Sequence, residues 1–137
     1  MRVFVDTNVL FAAYAGSGLC TELLIYLRQR HRLVVSEQVL DEFERAIHKK
    51  LKQPAKQAKA YRRGLEQRCQ VQMDPPVAPR RSRDPKDDSI LQAALDAKCD
   101  WLITGDADLT ILKRLQGMPI TTPRDFFEAM GVEEPWN

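Results

Sequence analysis

Apolar residues fall into two alternating patterns along this chain. Short unbroken runs, Val3-Phe4-Val5 and Leu33-Val34-Val35, read as strands buried on both faces, as in parallel sheets. Between and after them, apolar positions recur every three or four residues. Leu19, Leu23, Tyr26 and Leu27 form one such set; Val39, Leu40, Phe43 and Ile47 a second; Ile90, Leu91, Ala94 and Leu95 a third. That spacing predicts helices with one buried face. In chain order the expected elements begin with a strand at 2–6, a short helix from Val9 to Tyr14 and a helix capped by Ser17. A strand at 33–35 and a helix capped by Ser36 follow. A basic helical region is interrupted at Pro54, which should start a new helix in its first turn. "QVQM" alternates like an edge strand, and "DPPVAPRRSRDP" is a loop. "DDSILQAALDAKC" is a helix, "DWLITGD" a strand and "ADLTILKRL" a short helix. A strand ends at Ile120, and Thr122, Pro123 and Asp125 mark the start of a last helix. Strands alternating with helices predict one three-layer α/β domain over 1–130, followed by a tail at 131–137. Its sheet should be twisted, mainly parallel, of four or five strands, and flanked by helices.

Composition narrows the classes. With 137 residues, 44% of them apolar, the chain can bury one ordinary core. No apolar run approaches the ~18 residues of a membrane span, and the N-terminus does not read as a signal peptide. Cys20, Cys69 and Cys99 are widely spaced, and with two histidines they make no zinc set. A reducing cytoplasm is the expected compartment. His31 and His48 read as surface residues, Cys69 and Cys99 as packing residues, and Trp101 as a cover for the sheet edge.

Charge changes the picture. Net charge is only +2, yet residues 49–86 hold twelve Lys or Arg against Glu66, Asp74 and Asp84, while the flanks are acidic. Such a block can be a solvated helix face. Beside an acidic cluster it points instead to a polyanion held next to a metal site. Lys49, Lys50, Lys52, Lys56, Lys59, Arg62, Arg63, Arg80, Arg81 and Arg83 are the candidate phosphate contacts. Tyr61 is the only aromatic residue in that stretch, so a base-stacking groove is poorly supported.

The acids supply that cluster. Two core strands end on aspartates, in "VFVD" and "LITGD". Asp6, Thr7 or Asn8 could simply cap a helix. Open α/β folds, however, place ligands at the carboxyl edge of the sheet, where Asp6 and Asp106 would meet if their strands are neighbours. Gly105 would let Asp106 turn outward. Asp84, Asp87 and Asp88 cluster in "RDPKDD", and Asp41, Glu42 and Glu44 in "SEQVLDEFE". Two carboxylates about 4 Å apart repel by roughly 4 kcal/mol at an effective dielectric near 20. A shared proton or a divalent cation relieves this, and all-oxygen ligands favour Mg²⁺ or Mn²⁺. Helical phase places Glu42 and Glu44 on opposite flanks of the Val39–Phe43–Ile47 face and prefers neither. Asp88 reads as a solvated first-turn acid if Asp87 belongs to the site. Asp84 and Asp108 read as caps or braces.

These segments, "VFVDTNVL", "VVSEQVLDEFERAI" and "DPKDDSILQAALDAKCDWLITGDADL", resemble in order the motifs of the PIN domain, a metal-dependent ribonuclease fold. The resemblance runs from Arg2 to about Phe127 and is nearest the toxin components of toxin–antitoxin pairs. It implies that Asp6, Glu42, Asp87 and Asp106 are catalytic and hold Mg²⁺ or Mn²⁺. Thr7, Asn8, Ser36 and Thr104 would be supporting polar residues. It implies an RNA substrate cleaved by water to a 5′-phosphate and a 3′-hydroxyl, a protein antitoxin, and a homodimer in which Leu19, Leu23 and Tyr26 are candidate contacts. Two other readings are a PIN-like binding module without chemistry and an aspartyl-nucleophile phosphatase. The phosphatase wants a second acid two residues after Asp6, where Asn8 stands.

Overall fold

The computed structural model describes residues 1–16 and 18–133, so the expected Ser17 cap and the end of the tail lie outside the described residues. The elements run β1 (Arg2–Val5), α1 (Thr7–Tyr14), α2 (Gly18–Arg30), β2 (Arg32–Ser36), α3 (Glu37–Lys49), α4 (Ala55–Arg68) and β3 (Gln70–Gln72). They continue with α5 (Pro85–Asp96), β4 (Trp101–Ile103), α6 (Ala107–Thr110), β5 (Arg114–Leu115), β6 (Met118–Thr121) and α7 (Pro123–Met130). The six strands lie in the order β3-β2-β1-β4-β6-β5. All pairings are parallel except β5 with β6. The result is the expected three-layer α/β fold, with "QVQM" as an edge strand.

The apolar runs explain the middle of the sheet. Val3, Phe4, Val5, Leu33, Val34, Val35, Leu102 and Ile103 are all buried, so β1, β2 and β4 are covered on both faces. Phe4, Phe43, Phe126 and Phe127 are fully buried, and each side chain of this kind contributes roughly 1.5–3 kcal/mol. On α3 the buried set is Val39, Leu40, Phe43 and Ile47, as the spacing predicts. Gly131 ends α7 in the left-handed conformation (φ 71°) that a Cβ would disfavour.

Some readings need correction. Pro54 caps α4 from outside rather than entering its first turn. The "ADLTILKRL" helix stops at Thr110, and Arg114–Leu115 belongs to a hairpin. Gln116 and Gly117 both take positive φ (48° and 85°), the primed-turn geometry that suits a two-residue hairpin. This hairpin adds the sixth strand. Trp101 lies on a central strand and packs edge-on to Phe126, 5.3 Å between centroids, instead of covering the sheet edge. His31 is half-buried among Tyr26 and Phe126, whereas His48 is exposed. Burial pushes the Cys69 thiol up to about 11 and the Cys99 thiol to about 12, which keeps both protonated in packing roles. Leu23 is fully buried, and Tyr26 packs on Phe126 and Phe127. Of the three candidate dimer contacts, Leu23 therefore belongs to the core, while Leu19 and Tyr26 pack against it and stay partly exposed. No single described helix is long and apolar enough to cross a membrane.

The chain order positions the site. From β1 the chain builds outward through β2 to β3, then crosses back to place β4 on the other side of β1. The crevice between the carboxyl ends of β1 and β4 is thus a topological switch point, where open α/β sheets bind ligands.

Candidate active site

Asp6 stands at that switch point and serves as both cap and site residue. Its N–H continues the ladder to the Ile103 carbonyl at 3.0 Å. Its Oδ1 accepts from the Thr7 N–H at 2.7 Å, capping α1, and its Oδ2 accepts from the Thr104 hydroxyl at 2.7 Å. The side chain is 4% exposed. Burial raises its pKa, bonds from Thr104 and Thr7 pull it back, and the negative charges of Glu42 and Asp106 raise it further.

Asn8 fixes the two strand ends to each other. Its Oδ1 accepts from the Gly105 N–H at 2.9 Å, and its amide nitrogen reaches toward Asp6 and Thr104 at 3.4 and 3.5 Å. A Cβ on residue 105 would stand 3.3 Å from that Asn8 oxygen, so Gly105 permits a close approach. With Asn8 used as a clamp, nothing favours the phosphatase reading. Thr104 is fully buried and also accepts the Asp106 N–H at 3.0 Å. Asp106 caps α6 through the Asp108 N–H at 2.9 Å.

Helix α3 brings in Glu42. Its Oε2 accepts from the Thr7 hydroxyl at 2.9 Å, and its Oε1 accepts from Gln38 Nε2 at 2.9 Å. Gln38 also donates to the Lys86 carbonyl, tying α3 to the start of α5. Glu44, on the opposite flank, pairs with Arg62 of α4. Of the two acids that helical phase leaves open, Glu42 is the one on the flank of Thr7 and Asp6. Ser36 is buried and caps α3 through the Val39 N–H at 3.2 Å, a structural role.

The start of α5 separates Asp87 from Asp88. Asp84 caps the helix through the Lys86 N–H at 2.9 Å. Asp87 faces the site, and its pKa rises from 3.8 to about 7. Burial is the largest cause, followed by the charges of Asp106, Asp6 and Asp84 and a hydrogen bond with Asp106. Asp88 corrects the solvated first-turn reading, because it is buried. Its Oδ1 accepts from the Arg81 N–H, the Ser82 N–H and the Ser82 hydroxyl at 2.8–2.9 Å. These bonds outweigh desolvation and lower its pKa. Asp88 holds the loop at 80–82; Asp87 belongs to the acid set.

Among the described residues, no ion pair reaches Asp6, Glu42, Asp87 or Asp106. Nor do three His, Cys, Asp or Glu side chains converge into a closed ligand cage. The donors still suit a hard divalent cation. They are carboxylates only, their charge is unrelieved by the protein, and Mg²⁺ needs just one or two carboxylates with waters in its remaining positions.

The basic residues divide. Lys49 and Lys50 line a groove of about 260 Å³ with Thr7, Glu42 and Arg45, directly beside the acids. Arg45 was not among the expected contacts, although it lies one helical turn after Glu42 on the same strip of α3. Lys52, Lys56, Lys59, Arg63, Arg80 and Arg83 are exposed. Arg62 is removed from the candidates, because its guanidinium is held by Asp41, Glu44 and Glu66. Arg81 donates to Gln92 at 2.9 Å and is only partly exposed.

Comparison with known proteins agrees with this fold. The chain matches the family model described as PIN domain over residues 2–108. No curated protein matches it in sequence. Among solved structures, it is similar to VapBC2 from Rickettsia felis bound to a DNA fragment from its promoter. That match has 14% identity and a TM-score of 0.62, covering 88% of this chain and 97% of the other. It is similar to VapC20 of Mycobacterium tuberculosis, a sarcin–ricin loop cleaving toxin, at 13% identity and TM-score 0.61, covering 83% and 97%. It is also similar to the PIN domain endonuclease Utp24 at 20% identity and TM-score 0.51, covering 88% and 84%. At these identities the likeness is one of fold. The family model spans most of the chain and includes all four acids of the site, and the chain belongs to the PIN domain family.

Proposed function

We propose that this PIN domain is a Mg²⁺- or Mn²⁺-dependent endoribonuclease and the toxin of a toxin–antitoxin pair. One observation carries the reading. Asp6, Glu42, Asp87 and Asp106 come from four separate segments to the switch point of the sheet, and no protein cation neutralises them. Such an arrangement stores repulsion that a bound cation relieves. A cation held by these carboxylates would lower the pKa of a water and offset charge on a phosphoryl group.

The chain's own residues do the positioning. Thr104 and the Thr7 N–H hold both oxygens of Asp6, and the Thr7 hydroxyl and Gln38 hold Glu42. Asn8 locks the β1 end against Gly105. Lys49, Lys50 and Arg45 flank Glu42 and would take phosphate oxygens on either side of the scissile bond. Attack by water on phosphorus that breaks the P–O3′ bond, with the 3′-oxygen leaving and taking up a proton, leaves a 5′-phosphate and a 3′-hydroxyl; attack by the ribose 2′-hydroxyl would expel the 5′-oxygen and leave a 2′,3′-cyclic phosphate.

The toxin assignment is supported by the fold shared with a VapBC assembly and with VapC20. An antitoxin would inhibit by inserting an Arg or Lys among the four carboxylates. The reading places the protein in the cytoplasm, with its RNA. Purified protein incubated with single-stranded RNA, with and without Mg²⁺ or Mn²⁺, tests it. Metal-dependent products bearing 5′-phosphates are expected. A folded protein that cleaves nothing with either metal, or that leaves cyclic phosphates, would overturn it.

A further inference from the structure

The opposite edge of the sheet carries a basic cleft. There, at the amino ends of the strands, an open cleft of about 590 Å³ is lined by Arg2, Arg28, Arg30, Arg32 and Arg68, with Asp100 as its one acid. Asp100 already accepts the Arg2 backbone N–H at 2.8 Å. None of the five arginines has a carboxylate partner among the described residues. Parallel register sets Arg2 directly opposite Arg32, a like-charge pairing that weakens a sheet. Two nitrogens of residues that line the cleft, Arg28 Nε and His31 Nε2, are buried with no hydrogen-bond partner among the described residues. Unpaired buried donors are costly and rare in native proteins.

Helix dipoles account for part of this. Arg28 and Arg30 lie in the last turn of α2 and Arg68 in the last turn of α4, where positive charge is favoured. Arg2 Nε donates to the Ala97 carbonyl at 2.7 Å, at the C-cap of α5, and Arg28 reaches the Tyr14 hydroxyl at 3.4 Å. Helix ends do not account for Arg32, which begins a strand and is exposed, or for the two buried nitrogens.

A polar strip on α4 leads to this cleft. Ala58 and Leu65 mark its buried face. Lys56, Lys59, Arg63 and Gln67 follow at helical spacing on the opposite side, and all four are exposed. This strip covers about 16 Å of helix, and Gln67 at its end lines the arginine cleft.

We propose that the arginine cleft, with the strip of α4 that leads into it, grips the phosphate backbone of a bound polynucleotide. Guanidinium forks match phosphate oxygens, and an uncompensated cluster of five is an electrostatic footprint for a polyanion. That the polymer is RNA rests on the nuclease reading.

The test is an anisotropy titration of fluorescent single-stranded RNA of about twenty nucleotides at several salt concentrations, with EDTA present so that cleavage plays no part. Arg32→Gln/Arg68→Gln removes two exposed cleft charges, and Lys98→Gln/Lys113→Gln removes two exposed charges elsewhere. The wild type should show a log–log salt slope that the cleft variant reduces by about 1.4 units, roughly 0.7 for each phosphate no longer neutralised. The control variant should change it by less than half as much. Equal changes in the two variants would overturn the proposal. It would also be overturned if RNA binding were unchanged while the cleft variant lost wild-type affinity for inorganic tripolyphosphate or for a polyglutamate peptide. The first result would assign the cleft to a free polyphosphate and the second to an acidic protein segment. A protein that cleaves no RNA yet shows the slope change would retain the cleft and lose the nuclease assignment.

Discussion

The two edges of this sheet are electrostatic opposites. At the carboxyl edge four acids gather without a cation; at the amino edge five arginines gather beside one acid. They are separated by strands of about four residues, roughly 13 Å of extended chain. The polarity of a parallel α/β fold sorts the charges. Helices begin at the carboxyl edge, where their positive ends favour Asp6, Asp84 and Asp106 as caps. Helices α2 and α4 end at the amino edge, where their negative ends favour Arg28, Arg30 and Arg68. Each such interaction is worth about 0.3–1 kcal/mol, too little to explain either cluster alone. Helix ends make part of these charges cheap to place, and the proposed functions draw on the unpaired excess.

The largest effect should come from the carboxyl edge. Asp6→Asn and Asp106→Asn keep shape and remove charge, and each should lower metal-dependent cleavage by more than about a hundredfold, beyond what losing an outer partner usually costs. Circular dichroism should show the fold intact. Near-wild-type cleavage by either folded variant would break the comparison at its strongest point.

A smaller effect separates neighbours within one helical turn. Asp88 holds the 80–82 loop, so Asp88→Ala strands two backbone donors and should cost about 2 kcal/mol in denaturant unfolding. Its pKa is lowered in the fold, so its contribution is present above about pH 4 and fades as pH falls below that. Asp87 has the opposite sign. Its folded pKa of about 7 lies above the ordinary 3.8, so the unfolded chain releases this proton first. Metal-free stability should therefore fall as pH rises from about 4 through 7. Melting curves in EDTA should show that fall in the wild type and a flatter profile in Asp87→Asn. An identical pH dependence in the two proteins would mean that Asp87 does not face the other acids.

Particular residues show what was legible in the sequence. Asp6 and Asp106 could be read because they end apolar runs, and parallel strands send both ends to one edge. Glu42 could not be separated from Glu44, since helical phase is symmetric about the buried face. What faces each flank tells them apart, Thr7 on one side and Arg62 on the other. Asp88 looked solvated because nothing local shows the 80–82 loop folding back over it. Arg62 counted as free charge in a basic block, and its three acidic partners are up to 21 residues away. The β5–β6 hairpin was hidden because Gln-Gly is a weaker turn signal than Asn-Gly. The arginine cleft was invisible for a related reason. Its members scatter from residue 2 to 68, and only the register Arg2↔Arg32 and the ends of α2 and α4 assemble them.

The central claim is that the carboxyl edge holds a divalent cation through uncompensated acids. Calorimetric titration of Mn²⁺ into the wild type and Asp6→Asn, at about pH 8 and about pH 6, tests it most directly. Saturable binding is expected in the wild type. It should weaken at the lower pH with release of protons, because Asp87 must ionise to take part. Asp6→Asn should lose most of the signal. Equal heats in the two folded proteins, or none in the wild type at millimolar Mn²⁺, would contradict the account.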